Sequence, residues 1–156
     1  MRFLNGDVTE APEEFIAHGC NAQGVMGSGV AKAIRAKWPG AYQIYRALYE
    51  GTGRLPLGTV QWYDDYVNDK VIINCITQEF YGYDGRRYAS PEAIKTCLDK
   101  IATALHDEDY DKPVKIAIPW IGCGLGGLNK NELIKIVGSV ESRYPGVEFI
   151  LYEYEG

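Results

Sequence analysis

The sequence predicts an α/β fold built on a largely parallel sheet. Three observations carry that reading. Short apolar segments alternate with longer segments of helical periodicity along the whole chain. One segment, KVIINCI at 70–76, is an almost unbroken apolar run, as a strand buried on both faces requires. Two glycine-rich stretches each follow a predicted strand and precede a predicted helix.

The elements follow in order. Residues 1–5 and 15–19 read as short strands closing on Asn and Gly. Residues 29–38 read as a helix, with Val30, Ala33, Ile34 and Trp38 on one face and Pro39 as its stop. A second helix is expected from Ala41 to about Tyr49. Residues 59–63 and 70–76 are strands joined by a polar turn, and 78–89 is a loop rich in Gly, Tyr and Arg. Ser90-Pro91-Glu92 opens a helix with the stripe Ile94, Cys97, Leu98, Ile101 and Leu105. Residues 114–119 form a strand running into the loop 120–128. Asn129 and Glu132 are spaced as a capping box for the last helix, which Pro145-Gly146 ends before a strand at 148–154.

The chain of 156 residues is expected to form one domain over 1–156 and to fold without disulfides or metal. Its net charge of −5 argues against sequence-independent binding to nucleic acid, which needs a basic face. A phosphorylated small ligand remains compatible, because backbone N–H groups bind anions without Lys or Arg. Cys20, Cys75, Cys97 and Cys123 show no C-x-x-C spacing and are expected to be reduced thiols. No apolar stretch approaches the roughly 20 residues of a membrane span, and the opening MRFLNGDVTE has no apolar signal core. The expectation is a cytoplasmic monomer with no membrane contact. The two His and four Cys lack metal-ligand spacing, so metal-independent chemistry without a cofactor is expected.

The first glycine stretch is GCNAQGVMGSGVAKAI, residues 19–34. The second is PWIGCGLGGL, residues 119–128. Neither matches the dinucleotide fingerprint or the P-loop. Together they suggest two walls clamping a diphosphate at the C-terminal ends of the strands, where glycine lets backbone approach the ligand.

At these residues the chain resembles the macrodomains over nearly its whole length. The resemblance implies a three-layer α/β/α sandwich around a mixed, mostly parallel sheet. It implies ADP-ribose or ADP-ribose 1″-phosphate as the ligand. NGDVTE at 5–10 is similar to the adenosine motif, with Asp7 accepting from the adenine amino group and Val8 beside it. HGCNAQG places Asn21 at the distal ribose. Gly27, Ser28, Gly29 and Val30 fall in the first phosphate loop, and Ile121, Gly122, Cys123, Gly124, Leu125 and Gly126 in the second. Tyr152 offers an aromatic face beside the adenine.

Within that family the chain is similar to one branch, which holds the ADP-ribose 1″-phosphate phosphatases, the terminal ADP-ribose protein glycohydrolase and the antitoxin that removes ADP-ribose from DNA. GVMGSGVAKAI and GCGLGGL resemble the latter two. IAHGCN resembles the phosphatases, whose matching His is catalytic, so His18 is expected to transfer the proton to the leaving oxygen. Gln78 stands where the glycohydrolase and antitoxin have a Lys, and Gly126 where the glycohydrolase has an Asp. Gln forms no Schiff base and is no base. The leading expectation is therefore phosphate hydrolysis from ADP-ribose 1″-phosphate. Removal of ADP-ribose from protein or nucleic acid, and binding without catalysis, are the rivals. Arg86 and Arg87 are read as solvated loop cations with a possible reach to a terminal phosphate.

Overall fold

A computed structural model describes residues 1–154. Its strands are β1 (Arg2–Asn5), β2 (Phe15–Asn21), β3 (Val60–Asp65), β4 (Lys70–Gln78), β5 (Val114–Pro119) and β6 (Val147–Glu153). Its helices are α1 (Gly29–Lys37), α2 (Pro39–Thr52), α3 (Pro91–Leu105) and α4 (Lys130–Arg143), with a short 3₁₀ turn at Val8–Glu10. The sheet runs β1-β6-β5-β2-β4-β3. Every pairing is parallel except β3 with β4, which is antiparallel. The mixed, mostly parallel sheet expected from sequence is therefore the one observed.

Alternation along each strand sends neighbours to opposite layers. Ala17, Ile73, Ile118 and Phe149 pack under α3 and α4 against Ile94, Leu98, Leu133 and Val137. Ile16, Ile72, Ala117 and Ile150 pack against Ile34 of α1, Ala41 of α2 and Trp38 between them. Cys20 and Ile76 extend that second layer beneath Met26 and Tyr45. This is why the β4 run is apolar on every residue from Val71 to Ile73: each face meets a helix layer.

Three details differ from the sequence reading. The second helix begins at Pro39 and runs to Thr52, longer than Ala41 to Tyr49. Proline fits a first helical turn, so Pro39 ends one helix and starts the next across Trp38. The strand after Gly19 continues to Asn21, where a register shift pairs Asn21 with Gln78. The capping box is only half formed. Asn129 accepts from Asn131 N at 2.8 Å, whereas Glu132 turns away to pair with Arg87. By contrast Ser90 caps α3 as expected, accepting from Ala93 N at 3.2 Å.

Among the described residues no helix is long and apolar enough to cross a membrane. All four cysteines are free thiols.

Candidate functional site

The strands β1, β2, β4, β5 and β6 end on one side of the sheet, and a cleft of about 660 Å³ opens there. Parallel sheets put their ligands at this edge because loops and helix N-termini converge on it. All the expected ligand-binding residues line the cleft: Asp7, Val8, Asn21, Gly27 to Val30, Ile121 to Gly126, and Tyr152.

The first wall is the turn from β2 into α1. Asn21 organises it. Its Oδ1 accepts from Gln23 N at 2.9 Å, and its Nδ2 donates to Val25 O at 2.9 Å. The buried Tyr45 hydroxyl reaches Asn21 O at 2.7 Å and Asn21 Oδ1 at 2.8 Å. Arg46 donates to Gly24 O at 3.0 Å. Ser28 stands at the N-cap of α1 but makes no side-chain capping bond, so the first N–H groups of the helix stay open to the cleft. A Cβ built on Gly27 or Gly29 meets nothing within 4 Å.

The second wall is the turn from β5 into α4. It is held by backbone. Leu128 N donates to Gly122 O at 2.8 Å, and Gly126 O accepts from Tyr88 N at 2.8 Å and Ala89 N at 3.0 Å. Gly122 has φ +79°, and a Cβ on Gly126 would lie 2.6 Å from Gly122 O. Only Gly124 faces open space. Among the described residues, no protein acceptor meets the N–H groups of Gly124, Leu125 and Gly126. Neither glycine loop carries a cation into the cleft. The anion-binding capacity of the walls lies in these N–H groups.

Asp7 sits at one end. Its Oδ1 caps the 3₁₀ turn, accepting from Thr9 N at 2.9 Å and Thr9 Oγ1 at 2.7 Å. The cap fixes the carboxylate and leaves Oδ2 without a protein donor among the described residues. Tyr152 lies beside it, its hydroxyl bonded to Glu13. Gln78 lines the cleft at the end of β4, its Nε2 donating to Phe80 O at 2.8 Å.

The structure corrects the expectation for His18. The residue is fully buried and lies outside the cleft lining, while Gly19, Cys20 and Asn21 reach it. Its Nε2 lies 2.7 Å from Asn74 Oδ1. Asn74 Nδ2 donates to Ala41 O at 2.9 Å, which fixes the amide and makes His18 Nε2 the donor. The ring thus ties β2 to β4 beneath α2. Burial pushes its pKa down to about 4, against the Asn74 hydrogen bond that raises it. The neutral, buried imidazole contacts Cys20 Sγ at 3.8 Å and does not itself line the cleft where an oxygen would leave.

Cys123 lines the cleft but desolvation raises its thiol to about 11, so it is no thiolate nucleophile. Arg86 pairs with Asp84 at 3.2 Å and Arg87 with Glu132, and neither lines the cleft.

Sequence reasoning missed several lining residues. Thr77 and Gly19 meet at the floor, where a Cβ on Gly19 would lie 2.8 Å from Thr77 Oγ1. Tyr81, Gly82 and Tyr83 supply part of a rim. Trp120 stacks on Phe3 with centroids 5.6 Å apart, and Lys130 lies 4.8 Å over the same indole while pairing with Glu153. Trp120 was signalled by its position between a buried strand and a glycine loop. Lys130 and Glu153 meet only in three dimensions.

The Macro domain family model matches residues 17–137. The DNA ADP-ribosyl glycohydrolase of Thermus aquaticus is 29% identical over 155 residues, covering 98% of this chain and 41% of that protein. An ADP-ribose 1″-phosphate phosphatase of Candida glabrata is 29% identical over 102 residues, covering 64% of this chain and 56% of that one. The chain thus spans about two fifths to just over half the length of these relatives. Among solved structures, the macrodomain of Thermus aquaticus DarG superposes with a TM-score of 0.78 at 28% identity, over 97% of both chains.

Proposed function

The chain belongs to the macrodomain family, and on that premise we propose that it binds ADP-ribose and hydrolyses ADP-ribose 1″-phosphate to ADP-ribose and phosphate. One observation carries the reading. Two glycine walls with N–H groups that meet no acceptor among the described residues face a single cleft that holds Asp7 at one end and Asn21 at the other. A diphosphate between the walls takes its hydrogen bonds from backbone, Asp7 Oδ2 accepts from an exocyclic amine, and the second Nδ2 hydrogen of Asn21 meets a distal ribose hydroxyl.

With His18 sealed and Gln78 in place of a Lys, no imidazole or free amine serves the distal end. Rate enhancement then comes from positioning the ester and a water between the loops, and from N–H groups that stabilise the departing phosphate. The relative named as a phosphatase supports this chemistry. The relative named as a DNA ADP-ribosyl glycohydrolase favours a second reading, release of ADP-ribose from a modified macromolecule, because its similarity runs over 98% of this chain.

One panel separates them: purified protein with ADP-ribose 1″-phosphate, ADP-ribosylated protein and ADP-ribosylated DNA. Phosphate release supports the first reading. Release of ADP-ribose without phosphate release moves the assignment to the second. Binding of ADP-ribose with no turnover makes the chain a reader. Asp7→Ala is expected to weaken ADP-ribose binding by about 1–3 kcal/mol in calorimetry, the usual result of stranding a buried polar group. An unchanged affinity in a variant that melts like the parent confines Asp7 to its cap.

A further inference from the structure

Positive charge is segregated in this acidic protein. Between residues 24 and 54 there are five cations, Lys32, Arg35, Lys37, Arg46 and Arg54, and one carboxylate, Glu50, in a chain with 16 cations and 21 carboxylates. The whole-chain charge of −5 is therefore a poor guide to the face formed by α1 and α2.

Two of these cations are already neutralised. Lys37 pairs with Glu10 at 3.1 Å and Arg46 with Glu50 at 2.9 Å. Lys32 and Arg35 are exposed and, among the described residues, have no carboxylate partner. Both border a groove of about 730 Å³ between α1 and α2 that Met26, Gly27, Tyr42 and Gln43 also line. Gly27 lines this groove and the cleft alike, so the groove begins where the first glycine wall ends.

The chemistry of the groove is selective. The Arg35 guanidinium lies 3.9 Å from the Tyr42 ring centroid, which holds its plane against an aromatic support. A guanidinium so held presents a flat cationic face on which an unpaired base stacks, while a lone ammonium such as Lys32 takes a phosphate. The Gln43 amide offers a donor and an acceptor to a base edge. Two free cations are too few to hold a duplex face, and stacking needs a base that is not already paired.

We propose that the α1–α2 groove is a second binding site, for a short stretch of single-stranded nucleic acid running past the mouth of the cleft. Its role as an exosite for a modified strand rests on the second reading of the cleft, release of ADP-ribose from a modified macromolecule. The groove's own binding does not.

The test uses unmodified strands. Fluorescence anisotropy at low salt is run with a labelled single-stranded oligonucleotide, its duplex, and an acidic peptide of equal charge, for the parent, Lys32→Glu and Lys32→Ala/Arg35→Ala. The parent is expected to bind the single strand more tightly than the other two. The double variant is expected to lose about tenfold in affinity, and its log–log salt slope to flatten by about 0.7, the value for one phosphate contact on a single strand, that of Lys32. Lys32→Glu keeps the Arg35–Tyr42 stack and is expected to weaken binding in the same direction. Calorimetry with ADP-ribose is expected to give the parent affinity in both variants. No strand binding by the parent, equal binding of the acidic peptide or the duplex, or an unchanged affinity in both variants overturns the exosite. Loss of ADP-ribose binding by the parent itself overturns only the reading of the cleft.

Discussion

The two glycine walls look alike in sequence and are built in opposite ways. The first is held by side chains. Asn21, Tyr45 and Arg46 reach into it, and Gly27 and Gly29 face open space. The second is held by its own backbone and by the segment Arg86 to Ala89. Gly126 would clash with Gly122 O, and Gly127, at φ +75°, would clash with Arg86 O. Glycine therefore serves ligand approach at Gly27 and Gly29 of the first wall, whereas Gly24, at φ +78° and with the Tyr49 ring 2.6 Å from an added Cβ, and most glycines of the second wall serve tight chain packing. Only Gly124, the open glycine of the second wall, is equivalent in environment to Gly27.

That comparison makes the open glycines the most sensitive points for binding. Gly124→Glu and Gly27→Val are expected to abolish measurable ADP-ribose binding in calorimetry while leaving the melting curve near the parent's. A carboxylate repels the diphosphate and a branched Cβ blocks its approach. Gly27 is a cleaner probe than Gly29, whose φ of +59° strains any β-branched residue. Retained binding in both variants would break the assignment of the walls to phosphates. The next largest effect falls on the packed wall. Gly126→Val is expected to cost about 2–4 kcal/mol in denaturant unfolding, from a backbone clash that no rotamer relieves. If Gly126→Val is no more costly than Gly27→Val, the two walls do not differ in construction.

Much of the cleft was legible because it rests on local signals. A strand, a glycine run and a helix N-terminus are contiguous in sequence, so Gly27, Gly124 and their neighbours were readable from spacing alone. Asp7 was placed in the cleft only by the resemblance of NGDVTE to the adenosine motif; its cap, within two residues, is local but by itself marks no more than a turn. Orientation was not legible at the end of β2. His18 and Asn21 stand three residues apart, but a register shift after Cys20 breaks the alternation that would relate their faces. Asn74 could not be found as the partner of His18, because it lies on another strand 56 residues away. Trp120, Lys130 and Glu153 join the site only through packing of β1, β5 and α4.

The feeding strands repeat the contrast between the walls. β5 buries Ile116, Ala117 and Ile118 and no titratable group, whereas β2 buries His18. The His18 pKa is about 4 in the folded protein against 6.5 for the free group. The unfolded chain therefore binds the proton first, and the neutral ring's contribution, fully present above pH 6.5, is lost as pH falls toward 4. Between pH 7 and 5.5 the parent is expected to lose about 1 kcal/mol more stability than His18→Gln in urea titrations. ADP-ribose binding at pH 7 should survive the substitution, because His18 does not itself line the cleft. Parallel pH profiles in parent and variant would mean that the ring titrates freely.

The smallest expected effect tests the side-chain construction of the first wall directly. Tyr45→Phe removes one hydroxyl and leaves the ring packed under Met26 and Cys20. That hydroxyl lies within hydrogen-bond reach of both Asn21 oxygens, and among the described residues the second wall has no such single pin. Losing one buried hydrogen bond costs about 1 kcal/mol of stability. ADP-ribose affinity is expected to fall by a similar amount, about fivefold, because Asn21 loses the contact that orients its amide toward the cleft. The affinity change separates a pin from simple packing: lower stability with unchanged affinity would show that Val25 and Gln23 alone fix Asn21. The parallel loss of both would show that the first wall depends on a side chain buried beneath it, as the second does not.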